Sequence, residues 1–136
     1  MLDNIKLIIF DFDGVLTDNG VYLDSKGNEL IKCNRSDGLA FNALSKLGIK
    51  SIICSTEKNN VVKARGNKLN VETYNAISNK LEWLKKYCIN MNVSPKEILY
   101  VGNDINDYKS MKFCGFSACP SDSANKIKSI ANFILT

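Results

Sequence analysis

Short apolar runs and longer amphipathic stretches alternate along this chain, beginning with Leu7-Ile8-Ile9-Phe10. That first run is continuously apolar and ends in acidic residues, as a buried parallel strand does on reaching the sheet edge. Gly20 to Leu23 and Glu29 to Cys33 flank Asp24-Ser-Lys-Gly27-Asn28. This predicts a hairpin with Gly27 free to take a positive φ. Ser36 to Leu47 reads as a helix with Leu39, Ala40, Ala43, Leu44 and Leu47 on its inner face and Gly48 as terminator. A second buried strand (Ile49 to Cys54), a helix (Asn60 to Leu69) and a short strand (Val71 to Tyr74) follow. Another helix starts near Ser78 and runs through Leu81, Trp83, Leu84 and Cys88. Ser94-Pro95-Lys96-Glu97 has the form of a capping box with proline at the first helical position. Beyond it come a strand (Ile98 to Val101), a helix carrying Met111 and Phe113, a strand (Phe116 to Ala118), a helix (Ser121 to Ile130) and an edge strand (Phe133 to Leu135). Alternation of this kind predicts an α/β fold, a three-layer sandwich around a mostly parallel sheet. The expectation is one domain over residues 1–136, with a hairpin flap at about 19–34.

Composition narrows the chemistry. With 45% hydrophobic and 24% charged residues, the 136-residue chain has the make-up of a folded globular protein rather than a disordered one. No apolar run reaches the length of a membrane span, and Met1-Leu2-Asp3-Asn4 lacks the basic start and apolar stretch of a secretory leader. The five cysteines show no CxxC spacing, so reduced thiols and a cytoplasmic location are expected. There is no histidine, which excludes Ser-His-Asp, Cys-His and His-ligated zinc chemistry. Catalysis must rest on Asp, Glu, Lys, Ser or Thr, with a hard metal ion if one is needed. The net charge of +4 is spread along the chain, and Lys85-Lys86 is the only adjacent basic pair. That is no nucleic-acid footprint, though it suits a small anionic substrate.

In parallel sheets of this type, ligands bind beyond the carboxyl ends of the strands. The chemically able residues of this chain fall there: Asp11 to Asp18 after the first strand, Ser55-Thr56-Glu57-Lys58 after the next parallel one, Asn75 to Lys80, and Gly102 to Asp107. Asp11 and Asp13 lie two apart on an extended segment, so both side chains point one way while Phe12 turns to the other face. Two carboxylates so close repel unless one is protonated or a cation sits between them. Both outcomes suit phosphoryl transfer, with one carboxylate attacking phosphorus and the other holding a proton for the leaving oxygen. A solvated acidic strand end is the plainer reading of a bare DxD. The apolar run before it and Gly14 after it weigh against that.

Ile8 to Asp18, with its Asp11-Phe-Asp13-Gly14-Val-Leu-Thr17-Asp18 core, resembles the first motif of the haloacid dehalogenase (HAD) superfamily. With the hairpin and Asn34-Arg-Ser-Asp37-Gly38, it is similar to one capless branch. That branch holds the 3-deoxy-D-manno-octulosonate 8-phosphate phosphatases, the acylneuraminate 9-phosphate phosphatases and the related domain of acylneuraminate cytidylyltransferases. The resemblance covers Lys6 to about Ile134. It implies a Rossmann-like fold without a cap domain, Asp11 as nucleophile and Asp13 as general acid and then base. It also implies Ser55 as a phosphoryl hydrogen-bond donor and Lys80 as the cation that neutralises phosphate and nucleophile. A Mg²⁺ site would be formed by Asp11, Asp13, Asn103 and Asp104. Thr56, Glu57 and Asp37 would meet the substrate, and the subunits would form a homotetramer in which the hairpin of one covers the site of its neighbour.

Two departures matter. The family's acidic loop usually begins Gly-Asp, whereas this chain has Gly102-Asn103. Losing a unit charge beside the ion costs up to about 4 kcal/mol at an effective dielectric of 20, so weakened metal binding is expected. Asp104 or Asp107 could restore charge nearby. Secondly, the octulosonate enzymes usually carry Gly-Arg after the Thr that follows this strand, whereas this chain has Thr56-Glu57-Lys58. A glutamate there resembles the acylneuraminate enzymes and is suited to accepting bonds from sugar hydroxyls. The expectation is therefore an Mg²⁺-dependent phosphomonoesterase for a phosphorylated 2-keto-3-deoxy sugar acid, with an acylneuraminate or nonulosonate 9-phosphate placed first. The alternatives are the octulosonate 8-phosphate, or a catalytically weakened assembly domain marked by Asn103. A phospho-acceptor receiver domain fits less well, since its acceptor Asp follows the third strand, where this chain has Asn75-Ala-Ile-Ser78.

Overall fold

The computed structural model describes residues 2–136, so Met1, part of the Met1–Asn4 stretch considered above, lies outside the described residues. After a 3-10 turn at Leu2–Asn4, the elements are β1 (Leu7–Phe10), β2 (Tyr22–Leu23), β3 (Glu29–Leu30), α1 (Ser36–Lys46), β4 (Lys50–Cys54), α2 (Val61–Leu69) and β5 (Glu72–Tyr74). They continue with α3 (Lys80–Met91), β6 (Ile98–Val101), α4 (Tyr108–Phe113), β7 (Phe116–Pro120), α5 (Asn125–Lys128) and β8 (Phe133–Leu135). The main sheet has the order β5-β4-β1-β6-β7-β8, and every pairing in it is parallel. The expected three-layer α/β architecture is the one observed. β2 and β3 pair antiparallel as a separate hairpin, shorter than its sequence suggested.

Side-chain alternation along β1 divides the core. Leu7 and Ile9 pack with Ile52, Leu84, Tyr87, Ile98, Tyr100 and Met111 on the α3–α4 side. Ile8 packs with Ile5, Val101 and Ala118 on the opposite face. Phe12, Phe41, Ile53, Val62 and Leu69 fill the space beneath α1 and α2. Phe12 therefore anchors one side of the strand tip while Asp11, of the same parity as Ile9, is turned toward α3.

Three expectations are corrected. In α1 the inward residues are Leu44, as expected, and Phe41, 6% exposed, whereas Leu39 and Leu47 are each 74% exposed. The ring of Phe41 meets Phe10 edge-on at 5.1 Å, and this contact rolls the Leu39 stripe outward. The helix expected from Ser121 begins only at Asn125. The Ser121 amide donates to the Leu135 carbonyl, prolonging the β7–β8 ladder, and that of Ser123 to Pro120 closes a turn, so the first helical hydrogen bonds are those of Ile127 and Lys128 to the Ala124 carbonyl. Likewise α3 begins at Lys80 rather than Ser78, because Ala76 has φ +56° and Asn79 is the residue whose side chain caps the Glu82 amide at 3.0 Å. The capping box at Ser94–Glu97 forms as expected.

Candidate active site

Chain order reverses between β1 and β6. From β1 the chain passes outward through β4 and β5, then crosses back to β6 and continues outward through β7 and β8. The crevice at the carboxyl ends of β1 and β6 is thus the place where a doubly wound sheet opens to a ligand. The Asp11 amide donates to the Val101 carbonyl at 2.9 Å and the Gly102 amide to Ala118 at 3.1 Å, so the ladder runs one residue beyond each strand. This fixes Asp11 and Asn103 side by side. A cleft of about 80 Å³ there is lined by Asp11, Asp13, Asn19, Thr56, Asn103, Asp104 and Asn106.

Asp11 is 6% exposed. Its Oδ1 accepts hydrogen bonds from the Phe12 amide and from Lys80 Nζ, each at 2.8 Å. Lys80, 3% exposed at the first turn of α3, also donates to Asp107 Oδ1 at 2.8 Å. Asp107 is fully buried and further accepts from the Tyr100 hydroxyl at 3.0 Å and the Asn103 amide at 3.1 Å. One ammonium therefore serves two buried carboxyl groups. Burial, opposed by Lys80 and reinforced by Asp107, pushes the Asp11 carboxyl up to about 7. Burial also works against the Lys80 charge, but Asp11 and Asp107 reverse this and hold the ammonium above its ordinary range. Asp13 is half-buried, and burial, then Glu57 and Glu29, raise its carboxyl, as suits a proton donor.

The side-chain amide of Asn103 lies 2.9 Å from Asp11 Oδ2 and 3.0 Å from the main-chain oxygen of Asp13. With its oxygen inward, three oxygens from three residues face one another. Around a hard octahedral cation with ligands at about 2.1 Å, adjacent oxygens stand about 3.0 Å apart, so this donor set fits a small divalent ion. Among the described residues, no cluster of three or more His, Cys, Asp or Glu could do the same. The carboxylate, carbonyl and amide are recognisable only as a set. Gly14 makes room for it: at φ +84°, a Cβ there would stand 2.0 Å from Asn103 Nδ2.

The other expected residues separate. Ser55 is buried at the tip of β4, where its Oγ accepts from the Glu57 amide at 3.0 Å. Thr56 lines the cleft, and Glu57 acts electrostatically on Asp13. Asp104 lines the cleft while its Oδ1 accepts from the Ile105 amide at 2.7 Å. Asp37 is not brought to this cleft. It lines a larger hollow with Val15, Thr17, Lys32 and Arg35, and its Oδ2 is buried with no hydrogen-bond partner. Asp107 stands one step behind the cation position, since both its oxygens are taken by Lys80, Tyr100 and the Asn103 main chain. Tyr100, Asn19 and Asn106 were not anticipated. For Tyr100, a tyrosine in an otherwise aliphatic buried strand, whose hydroxyl needs a partner, was the available signal.

A doubly wound parallel sheet with carboxylates and a buried lysine at its switch point places the chain among α/β folds of the hydrolase class, and comparison with known proteins agrees. The model of the haloacid dehalogenase-like hydrolases matches residues 42–136, and this chain belongs to that family. It is 32% identical over 121 residues to the 3-deoxy-D-manno-octulosonate 8-phosphate phosphatase of Salmonella typhi, a match covering 88% of this chain and 64% of that protein. The chain thus spans under two-thirds of the length of that curated relative. Its structure is similar to a HAD family hydrolase from Streptomyces avermitilis, with a TM-score of 0.95 and 35% identity over all of this chain and 78% of the other. It is also similar to the octulosonate 8-phosphate phosphatase of Moraxella catarrhalis solved with magnesium, phosphate and the sugar acid. There the TM-score is 0.93 and the identity 25%, over 99% of this chain and 78% of that one.

Proposed function

We propose that this protein is an Mg²⁺-dependent phosphomonoesterase for a phosphorylated 2-keto-3-deoxy sugar acid, with 3-deoxy-D-manno-octulosonate 8-phosphate first among its substrates. The observation that carries the reading is the meeting of Asp11, Lys80 and the Asn103 amide at the β1–β6 crevice. The relatives move the eight-carbon substrate ahead of the nine-carbon one that the sequence placed first. Glu57, a carboxylate suited to accepting bonds from sugar hydroxyls or amides, keeps the nine-carbon acid as the second reading.

In this mechanism the Asp11 carboxylate attacks phosphorus, the P–O bond to the sugar breaks, and Asp13 gives its proton to the departing sugar oxygen. Asp13 then takes a proton from water, whose oxygen attacks the aspartyl-phosphate. The acyl-phosphate P–O bond breaks, releasing phosphate and restoring Asp11. Lys80 holds Asp11 in position and offsets the charge of the incoming phosphoryl group. Asp11, Asn103 and the Asp13 carbonyl would hold the cation, with Asp104 beside them, and the cation supplies positive charge on the phosphoryl oxygens.

The reading includes a homotetramer in the cytoplasm. Tyr22, Leu23 and Leu30 of the hairpin are 65–71% exposed, more apolar surface than a two-stranded ribbon buries alone. All five cysteines are free, as in a reducing compartment. Hydrolysis of the eight- and nine-carbon keto-acid phosphates, with and without Mg²⁺ and beside an Asp11→Asn control, tests the function. Mg²⁺-dependent turnover that disappears with Asp11→Asn supports it. Absence of turnover on any phosphomonoester leaves the assembly-domain alternative. Light scattering gives the subunit number.

A further inference from the structure

The Asn103 amide stands where the family's loop usually carries a carboxylate, and its contacts pose a hydrogen-bonding problem. Both neighbours, Asp11 Oδ2 at 2.9 Å and the Asp13 carbonyl at 3.0 Å, are acceptors. With the amide oxygen inward and no cation between them, three lone-pair-bearing atoms crowd together without a hydrogen among them. With the nitrogen inward, the two N–H groups serve one acceptor each. The two orientations have nearly the same shape and differ by a half-turn of a terminal torsion that is soft in asparagine.

We propose that Asn103 is a two-position latch. Nitrogen-inward, it joins Asp11 to the Asp13 main chain in the metal-free protein. Oxygen-inward, it completes the cation site. The inference rests on the cation-dependent reading above and adds what this chain does before the cation arrives. Only the side chain need turn, because the Asn103 backbone is held at both ends. Its amide donates to Asp107 Oδ2 at 3.1 Å, and its carbonyl accepts from the Ala124 amide at 3.0 Å. Gly14, lacking a Cβ, leaves the room. An ionised aspartate here could not play the first part, having no hydrogen to donate beside Asp11. The latch holds the nucleophile in its reactive position from the outset, and cation binding must break two hydrogen bonds, so affinity falls.

The test follows the Asn103 side-chain NH₂ resonances of the full-length protein by ¹⁵N NMR, assigned through their loss in Asn103→Asp, with Mg²⁺ affinity measured by calorimetry. In metal-free protein the NH₂ pair is expected to be hydrogen-bonded and slow to exchange, and millimolar Mg²⁺ removes both features. Asn103→Asp should bind Mg²⁺ at least tenfold more tightly, melt lower than wild type without metal, and gain more from it. An NH₂ pair indifferent to Mg²⁺, or a variant with equal or weaker affinity, overturns the latch. If the variant does not fold, triple-resonance assignment of the wild-type protein identifies the NH₂ pair, and its response to Mg²⁺ decides. Hydrolysis with a motionless amide sinks the latch alone. A turning amide without hydrolysis of any phosphomonoester sinks the phosphatase reading alone.

Discussion

Lys80 and Asp107 form a fully buried ion pair, Nζ to Oδ1 at 2.8 Å, and the same ammonium reaches the Asp11 carboxylate at 2.8 Å. A cation shared in this way organises the crevice, since it links the first turn of α3 to the tip of β1 and to the loop after β6. Removing it would leave two desolvated carboxylates without their shared countercharge.

For Lys80→Met, that loss should cost about 3–5 kcal/mol of folding stability, the range for breaking one side of a buried pair. Urea denaturation measures it. Phosphomonoester hydrolysis should fall with it, because Asp11 loses the group that orients it.

Tyr100→Phe removes a single neutral donor to Asp107 and leaves Lys80 in place. The expected cost is about 1 kcal/mol, with Asp107 still held by three donors. A loss as large as that of Lys80→Met would mean that the hydroxyl, not the ammonium, positions Asp107.

The two glycines Gly102 and Gly38 should respond with opposite signs to alanine. A Cβ on Gly102 would lie 2.6 Å from the Cβ of Asp107, so Gly102→Ala must displace the buried carboxylate and lose about 1–3 kcal/mol. In α1, Gly38 has nothing closer than Leu69 Cδ2 at 3.8 Å, and Gly38→Ala should gain about 0.5–1 kcal/mol by restricting the unfolded chain. Thermal or urea melts of the two variants check both signs.

Burial pushes the Cys54 thiol up to about 12, whereas Cys33 is only partly buried. Because the thiolate is the nucleophile, a raised value means less reaction. At pH 8 about one Cys54 in ten thousand is ionised. Iodoacetamide at that pH should label Cys33 and spare Cys54 until the protein is unfolded, as mass spectrometry of the peptides would record. Labelling of Cys54 in the folded protein would contradict its burial.

Much of the site was legible before folding because it is local. The apolar run Leu7–Phe10, the acidic pair two residues apart and Gly14 specify a strand tip whose geometry follows from backbone alternation. Lys80 could be named as a site residue only through the family resemblance, because a lysine at a helix start carries no signal of burial. The cation position was half legible. Asn103 was visible as a departure, but the Asp13 contribution comes from its main chain, which no side-chain pattern encodes. Asp37 and Asp107 show the other limit: the sequence says that each carboxylate exists and nothing of which way it faces.

The sequence by itself determined the order of strands and helices, the end of the sheet at which the chemistry collects, and the side of β1 on which Asp11 emerges. Each of these follows from periodicity, capping and turn chemistry acting within a few residues. Only the tertiary structure decided that Asn103 meets Asp11, that Lys80 is shared with Asp107, and that Phe41 rather than Leu39 faces the core. Those contacts depend on which strands become neighbours and how each helix rolls onto the sheet. Packing the whole chain at once settles such choices, and no local stretch of residues carries them.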